Sequence, residues 1–345
     1  MTDEPDILFD RQGALGRIVL NRPKALNALT LDMCLAIKAR LDEWVRDDAV
    51  EHVAITSGGG RAFCAGGDIR ALYDSGKAGT PYALDFWSNE YRLNAAIKRF
   101  PKPYVAILDG IVMGGGVGVS VHGSHRVATE NVVFAMPETG IGLFPDVGAT
   151  YFLSRCPGRL GLYLALTGAR LQTADLINIG IATHFVASDQ TATLLSRLAD
   201  GEPPASAIAA LAETVGPGPL AEHCDALTRG FGGPSIEAIL HALGNEGTWG
   251  DETAAALRTK SPTSLKIAQR QMREGVRLGF EDCMRLEFRI VSRVIAGHDF
   301  FEGVRAAVID KDQKPKWQPA ALADVSDEDV ARYFAPLGAM ELTLP

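Results

Sequence analysis

Apolar residues along the first 200 positions fall in short β-rich runs separated by stretches with helical spacing, the alternation of a layered α/β fold. Residues 17–21 (RIVLN), 52–56 (HVAIT), 104–108 (YVAIL) and 132–135 (VVFA) read as strands. Thr30 stands as N-cap to a helix in which Leu31, Cys34, Leu35, Leu41 and Val45 form a largely apolar stripe. A second helix is expected over residues 82–100, with Tyr82, Phe86, Leu93 and Ile97 apolar, stopping ahead of Pro101 and Pro103.

Past residue 150 the strand signal fades, apart from a short candidate at 183–186, and helices dominate. Residues 200–250 are rich in Ala, Gly and Pro, which predicts short helices joined by surface turns. Pro262-Thr263-Ser264 opens a helix carrying Leu265, Ala268 and Met272, a longer one is expected over 280–296, and a last one near 327–334. Neither an internal repeat nor a low-complexity tract interrupts this order. The chain therefore divides into a core over residues 1–200 and a mostly helical region over 201–345 that packs on it.

With 345 residues, 47% of them hydrophobic, the chain is long enough for a large core. A formal net charge of -8 repels phosphate backbones and anionic lipid, so neither nucleic acid nor membrane is expected as a partner. Asp3, Glu4, Asp6 and Asp10 precede the first basic residue, Arg11, unlike a secretory signal or transit peptide, and no apolar run reaches bilayer length. The five cysteines, Cys34, Cys64, Cys156, Cys224 and Cys283, are odd in number and dispersed, which suits reduced thiols and a cytoplasmic location. The seven histidines form no HExxH pair, and no metal site is expected.

Two glycine clusters carry the chemistry: Ala65-Gly66-Gly67-Asp68-Ile69 and Gly114-Gly115-Gly116-Val117-Gly118. Each lies between a strand candidate and a helix. Glycines there let backbone amides approach a ligand with no Cβ in the way. Tight turns and close helix packing would explain one such pair, but Gly costs about 1 kcal/mol relative to Ala in a helix, and four in five residues exchange helix stability for backbone access. Two facing loops of this kind make an oxyanion hole. A P-loop would need a Lys-Ser or Lys-Thr after the glycines, a Rossmann fingerprint would need glycine at Val119, and a nucleophile elbow would need glycine at His122, so Ser120 reads as a helix residue.

The order Asn21-Arg22-Pro23, Asn27-Ala28-Leu29, Ala65-Gly66-Gly67-Asp68, Gly114-Gly115-Gly116 and Pro137-Glu138 resembles the crotonase (enoyl-CoA hydratase/isomerase) superfamily across at least residues 15–190. The resemblance implies an α/β crotonase-like fold of stacked ββα units with a helical C-terminal region. It implies an acyl-coenzyme A substrate, with coenzyme A as part of that substrate and no separate cofactor. By the same resemblance the amides of Gly67 and Gly115 hold the thioester oxygen, and residues 24–26, with Ala25 and Leu26, together with Ala65, Gly66, Asp68 and Ile69, cradle coenzyme A. Superfamily members commonly form trimers or hexamers, so a homo-oligomer is expected.

The reaction depends on acids around that hole. Residues 136–148 place Glu138 and Asp146 in an apolar, Pro- and Gly-punctuated loop, where burial raises a carboxyl pKa toward working pH. As plain structure, Glu138 caps the next helix or Asp146 N-caps residues 147–153; chemistry is the better reading of Glu138, whereas for Asp146 the pattern leaves capping and chemistry level. Hydratases that this sequence resembles carry a second glutamate three residues beyond the middle glycine, and here that position is Gly118. The run FAMPETGIGLFPDVG (134–148) instead resembles the 3-hydroxyisobutyryl-CoA hydrolases of valine breakdown. That likeness continues through residues 164–170, 180–186, 261–267 and 297–317. It implies Glu90, Gly115, Glu138 and Asp146 as substrate-contacting positions and thioester hydrolysis as the activity, with Glu138 and Asp146 catalytic.

Two other functions compete with hydrolysis. A hydratase or isomerase on another acyl-CoA is opposed by Gly118, and a non-catalytic acyl-CoA-binding protein is opposed by the retained Glu138 and Asp146. His298 beside Asp299 invites a triad reading, yet neighbours on a helix point in different directions. His122 and His125 read as structural histidines.

Overall fold

The computed structural model describes residues 5–344, so the first part of the acidic N-terminal segment, residues 1–4, lies outside the described residues. Strands β1 (Ile7–Gln12), β2 (Leu15–Leu20), β3 (His52–Ser57), β5 (Tyr104–Leu108), β7 (His125–Ala128) and β9 (His184–Phe185) form one sheet in the order β1-β2-β3-β5-β7-β9. β1 and β2 are antiparallel; every later pairing is parallel. Strands β4 (Ala62–Cys64), β6 (Ile111–Met113) and β8 (Val133–Ala135) form a second, parallel sheet.

One strand of the large sheet, a turn and one short strand of the small sheet make a unit that recurs as β3-β4, β5-β6 and β7-β8. Helices α2 (Ile69–Ala78) and α3 (Tyr82–Lys98) follow the first unit and α4 (Gly115–Gly118) follows the second, while α1 (Leu31–Arg46) precedes them. These are the stacked ββα units that the resemblance implies. Cys64 pairs with Val112 and Val112 with Phe134, so the C-terminal ends of β4, β6 and β8 lie level. The loops leaving them open on one edge, the side of a parallel sheet where ligands bind.

The large sheet is covered on both faces, which is why its central strands read as unbroken apolar runs. Val53, Ile55, Tyr104, Ala106 and Leu108 belong to the main core. The alternate residues Ala54, Val105 and Ile107 join Leu194, Leu198, Ala207 and Ile208 in a second cluster on the outer face.

The helices of the C-terminal region share the main core, which runs from Ile18 to Leu342. Phe288, on the helix Phe280–Val294, meets Tyr91 of α3 edge-on at 6.4 Å, and Phe300, on the helix His298–Val304, meets Trp87 at 5.9 Å. A Cβ at Gly303 would overlap the backbone of Ile141, so the main chain of that helix lies directly on the turn Glu138–Ile141. Thus the C-terminal region grips the loops that carry the candidate acids.

The short strands were not legible. β4 and β6 have three residues each, too few for a period, and β7 opens with His125 and Arg126.

Candidate active site

At the ends of β4 and β6 the two glycine loops lie against each other. Leu29 N–H donates to Gly66 O and Asp68 N–H to Leu29 O, both at 2.8 Å, while Ala65 N–H donates to Leu26 O at 3.0 Å. Asn27, buried and left-handed at φ 56°, donates its amide to Ala62 O and accepts from Arg22 N, both at 2.8 Å. The first loop is therefore fixed from below by residues 26–29. In the second, Gly114 takes φ 46° and ψ -122°, a backbone that aims the start of α4 at Gly66 and Gly67. A Cβ on Gly115 would stand 3.2 Å from Gly67 N and would overlap Glu90 Oε1. Only glycine fits there.

Among the described residues, neither Gly67 N–H nor Gly115 N–H donates to a main-chain carbonyl outside its own element. They face a cavity of about 130 Å³ lined by Ala65, Gly66, Gly67, Ile69, Glu90, Gly115, Glu138 and Asp146, with Trp87, Phe86, Ile141 and Leu143 as apolar wall. Two amide donors in such a place can receive an oxygen that gains negative charge.

Three carboxyls close the cavity: Glu90, Glu138 and Asp146 are 2, 5 and 4% exposed. Glu90 projects from α3, Glu138 begins the turn Glu138–Ile141, and Asp146 precedes a left-handed Val147. Tyr91 donates its hydroxyl to Asp146 Oδ2 at 2.8 Å, whereas Glu90 Oε1 and Glu138 Oε2 are buried without a partner. Burial pushes Glu90 well above the usual carboxylate range, and Asp146, Glu138 and Glu287 push it further. Glu138 rises for the same two reasons, burial first and then Asp146, with Lys260 drawing it partly back. Asp146 is pushed up to about 7 by burial, against the pull of the Tyr91 hydroxyl. Carboxyls whose pKa is raised by burial can exchange protons with a substrate or water in the site.

The acid loops are held from the C-terminal region. Gln271 donates its amide to Pro145 O and to Thr150 Oγ1, each at 2.6 Å. Ser261 N–H donates to Thr139 O at 3.2 Å, and His122 Nε2 lies 2.7 Å from Val147 O. Glu287, wholly buried, accepts from Gly148 N and Thr150 N.

Of the residues expected from sequence, Gly67, Gly115, Glu90, Glu138, Asp146, Ala65, Gly66 and Ile69 share this cavity. Ala25, Leu26 and Asp68 do not line it. Ala25 is exposed, and Leu26 touches the site only through its carbonyl bond to Ala65. Asp68 N-caps α2, accepting from Ala71 N at 3.3 Å, and pairs with Arg22 at 3.2 Å. The capping alternatives for the two acids fall away: Pro137 and Gly148 occupy the N-cap positions, and the Asp146 side chain bonds Tyr91. Ser120 Oγ donates to Gly116 O, and His122 is tied to Val147, so both are structural. Asp299 accepts from Ser261 Oγ and Gln318 N while His298 lies against Lys316 O, so the two do not act together. Sequence reasoning did not find Tyr91, Asn94, Trp87 or Glu287. Among the described residues no cluster of three or more His, Cys, Asp and Glu is disposed to hold a metal ion.

Position 118 is closed. A Cβ on Gly118 would stand 2.7 Å from Asn94 Nδ2 and 2.8 Å from Val147 Cβ, so no larger side chain enters there without displacing its neighbours.

This geometry agrees with what the chain resembles. The enoyl-CoA hydratase/isomerase family model matches residues 15–334. Two curated relatives carry the name 3-hydroxyisobutyryl-CoA hydrolase, mitochondrial: that of Danio rerio, 47% identical over 98% of this chain and 92% of that one, and that of Homo sapiens, 45% identical over 98% and 90%. A solved structure, named as a carnitinyl-CoA dehydratase from Mycobacterium thermoresistibile, superposes with a TM-score of 0.95 at 44% identity, covering 99% of each chain. The relatives' mitochondrial names overturn the cytoplasmic location expected from the thiols. Free cysteines separate reducing from oxidising compartments, but not one reducing compartment from another. With the family's two glycine loops in place and both the model and the relatives matching almost end to end, the chain belongs to the enoyl-CoA hydratase/isomerase family, in its 3-hydroxyisobutyryl-CoA hydrolase branch.

Proposed function

We propose that this protein hydrolyses the thioester of 3-hydroxyisobutyryl-CoA, releasing 3-hydroxyisobutyrate and coenzyme A, a step of valine breakdown. The observation that carries this reading is the pairing of an unpartnered, buried Glu138 with two free amides, next to a position 118 that has no room for the second glutamate of a hydratase. The names of relatives 45% and 47% identical support the same acyl group.

In the proposed reaction Gly67 N–H and Gly115 N–H take the thioester oxygen as charge collects on it, each donor worth on the order of a hundredfold to a thousandfold in rate. Glu138 delivers the attack on the acyl carbon, through a water that it deprotonates or through its own oxygen by way of a mixed anhydride that a water then hydrolyses to the free acid and Glu138. The carbon–sulfur bond breaks, and Asp146 exchanges the proton that the departing thiol gains. Glu90 Oε1, free of protein partners, holds the substrate hydroxyl. Main chain at 24–26 and 65–69 cradles coenzyme A, with the Asp68 carboxylate holding the loop through Arg22 and Ala71.

The test offers 3-hydroxyisobutyryl-CoA, 3-hydroxypropionyl-CoA and crotonyl-CoA in parallel and follows free thiol. Rapid release from the first two alone is the expected result. A second reading, hydration or dehydration of an acyl-CoA, is favoured by the likeness to the Mycobacterium thermoresistibile structure, which bears a dehydratase name. Loss of enoyl absorbance from crotonyl-CoA without thiol release would establish it in place of hydrolysis.

A further inference from the structure

Asp146 sits in a turn closed by a single main-chain bond, Ala149 N–H to Asp146 O at 2.9 Å. Val147, a β-branched residue, is left-handed at φ 51°, a conformation that costs about 1–3 kcal/mol and persists only when its surroundings impose it. The next residue, Gly148, has φ 89°. Beside His122 on Val147 O and Gln271 on Pro145 O, a side chain 139 residues further on holds this shape: Glu287 accepts from Gly148 N at 2.7 Å with Oε2 and from Thr150 N at 2.9 Å with Oε1.

Glu287 is 0% exposed, on the core-facing side of the helix Phe280–Val294, and does not line the cavity. A core position normally takes an apolar residue, and a buried carboxylate is kept only where its bonds are needed. We propose that Glu287 is a positioning residue for Asp146: by clamping the amides of Gly148 and Thr150 it imposes the left-handed turn at Val147 and so fixes where the Asp146 carboxyl points.

A buried acid beside Asp146 also makes the two titrate together. Burial pushes Glu287 up to about 8, while its bonds to Thr150 and Gly148 draw it down and the charge of Asp146 raises it. The other groups around the pair are Tyr91 and Glu90 from α3, Glu138 from its turn, His122 on Val147 O, and Cys283 and Asp282 on the helix of Glu287, with Arg155 beyond Cys283. Glu287, at about 8, keeps its proton while Asp146, at about 7, loses its own, so Glu287 acts on Asp146 through position: a shifted turn takes the Asp146 carboxyl away from the Tyr91 hydroxyl that lowers its pKa, and its proton then leaves at higher pH.

The experiment compares Glu287→Gln, which keeps size and loses charge, with Glu287→Asp, which keeps charge and shortens reach. The Asp146 titration is followed in the free protein by NMR of labelled aspartate side chains, assigned with Asp146→Asn, and thiol release is measured across pH. Only the kinetic arm rests on the proposed hydrolysis. In Glu287→Gln the side-chain NH2 faces one of the two N–H groups, the clamp opens, and the Asp146 midpoint, about 7 in the natural protein, should rise by about one pH unit. Its kcat should drop on the order of tenfold to a hundredfold with KM within about threefold, the mark of a misplaced catalytic group. Glu287→Asp should keep the midpoint, recover part of kcat, and serve as the test if the Gln variant does not fold. An unmoved midpoint in Glu287→Gln, or natural kcat in Glu287→Asp when only that variant folds, overturns the proposal. If the natural protein releases no thiol, the function proposed above fails and the titration alone still decides the role of Glu287.

Discussion

Val147 occupies the space that a side chain at position 118 would need: the Cβ of one and the Cβ that the other lacks would be 2.8 Å apart. Val147 cannot retreat, because its carbonyl lies 2.7 Å from His122 Nε2 and its φ is already 51°. On the other side of Gly118 the Asn94 amide is wholly buried one helical turn beyond Glu90. The glycine at 118 is thus more than a missing carboxylate. Glu90, on the same face of α3 as Asn94, is the carboxyl that α3 brings to the cavity.

Gly118→Ala should therefore destabilise the fold by about 1–3 kcal/mol, the usual cost of overfilling a packed core. Thermal melting reads this as a fall of several degrees. Gly118→Glu should cost more and bring no hydration of crotonyl-CoA. A well-folded Gly118→Glu protein that hydrates crotonyl-CoA would refute the account of position 118.

Glu138→Gln keeps the shape of the side chain and removes its ability to accept a proton or attack. Thiol release should fall on the order of a hundredfold to ten-thousandfold, the range for loss of a positioned base. Binding of the acyl-CoA, measured by calorimetry, should stay within about threefold, because the two amide donors remain. Near-native turnover in this variant would remove Glu138 from the mechanism.

Much of this site was legible before any coordinate, and the reason is local. Glycines in a row, or two acids in a Pro- and Gly-punctuated loop, are unusual within a few residues, so the two glycine clusters and Glu138 stood out from their neighbours, while the family resemblance picked Gly67 and Gly115 within the clusters and favoured chemistry for Asp146. Glu287 could not be found that way, because a lone glutamate in an amphipathic helix looks solvated. A signal was nevertheless present. Positions 283, 287, 290, 291 and 294 repeat at helical spacing, and all but 287 are apolar, which puts a carboxylate on the buried face. The same holds on α3, where Ala83, Phe86, Trp87, Glu90, Tyr91, Asn94 and Ile97 share the buried face, with Glu90 and Asn94 as its polar members. Strands β4 and β6 remained invisible because their stability comes from pairing with each other and with β8, not from a pattern along three residues.

Gly115→Ala tests the amide pair. The new methyl would press on Glu90 Oε1 and stand 3.2 Å from Gly67 N, in the space where a substrate oxygen must sit. We expect kcat/KM for thiol release to fall at least a hundredfold, about the worth of one such donor. Circular dichroism should remain native, since the methyl points toward the site. Retention of most of the activity would show that the oxygen does not bind between these two amides.

The cluster of buried acids carries a stability cost that depends on pH, and the sign follows from the direction in which each carboxyl is displaced. Glu90, Glu138, Asp146 and Glu287 all have their carboxyls raised in the folded state, chiefly by burial. An acid raised in this way contributes stability that is complete below its unfolded pKa, near 4, and is lost as pH climbs through the folded value, at about 1.4 kcal/mol for each pH unit that separates the two. With Asp146 at about 7 and Glu287 at about 8, the loss accumulates from about pH 4 and is complete for these two groups by about pH 7 and about pH 8. The melting temperature should fall between pH 5 and pH 8, opposite to a protein whose carboxylates are salt-bridged. Glu90→Gln removes one of the four charges without changing the shape of the side chain, so it should melt higher than the natural protein, by a margin that widens as pH rises. That gain would come with lost turnover, since active sites commonly keep groups that the fold would be more stable without. A melting temperature independent of pH over this range, or a Glu90→Gln protein no more stable at pH 8 than the natural one, would mean that burial does not raise these carboxyls.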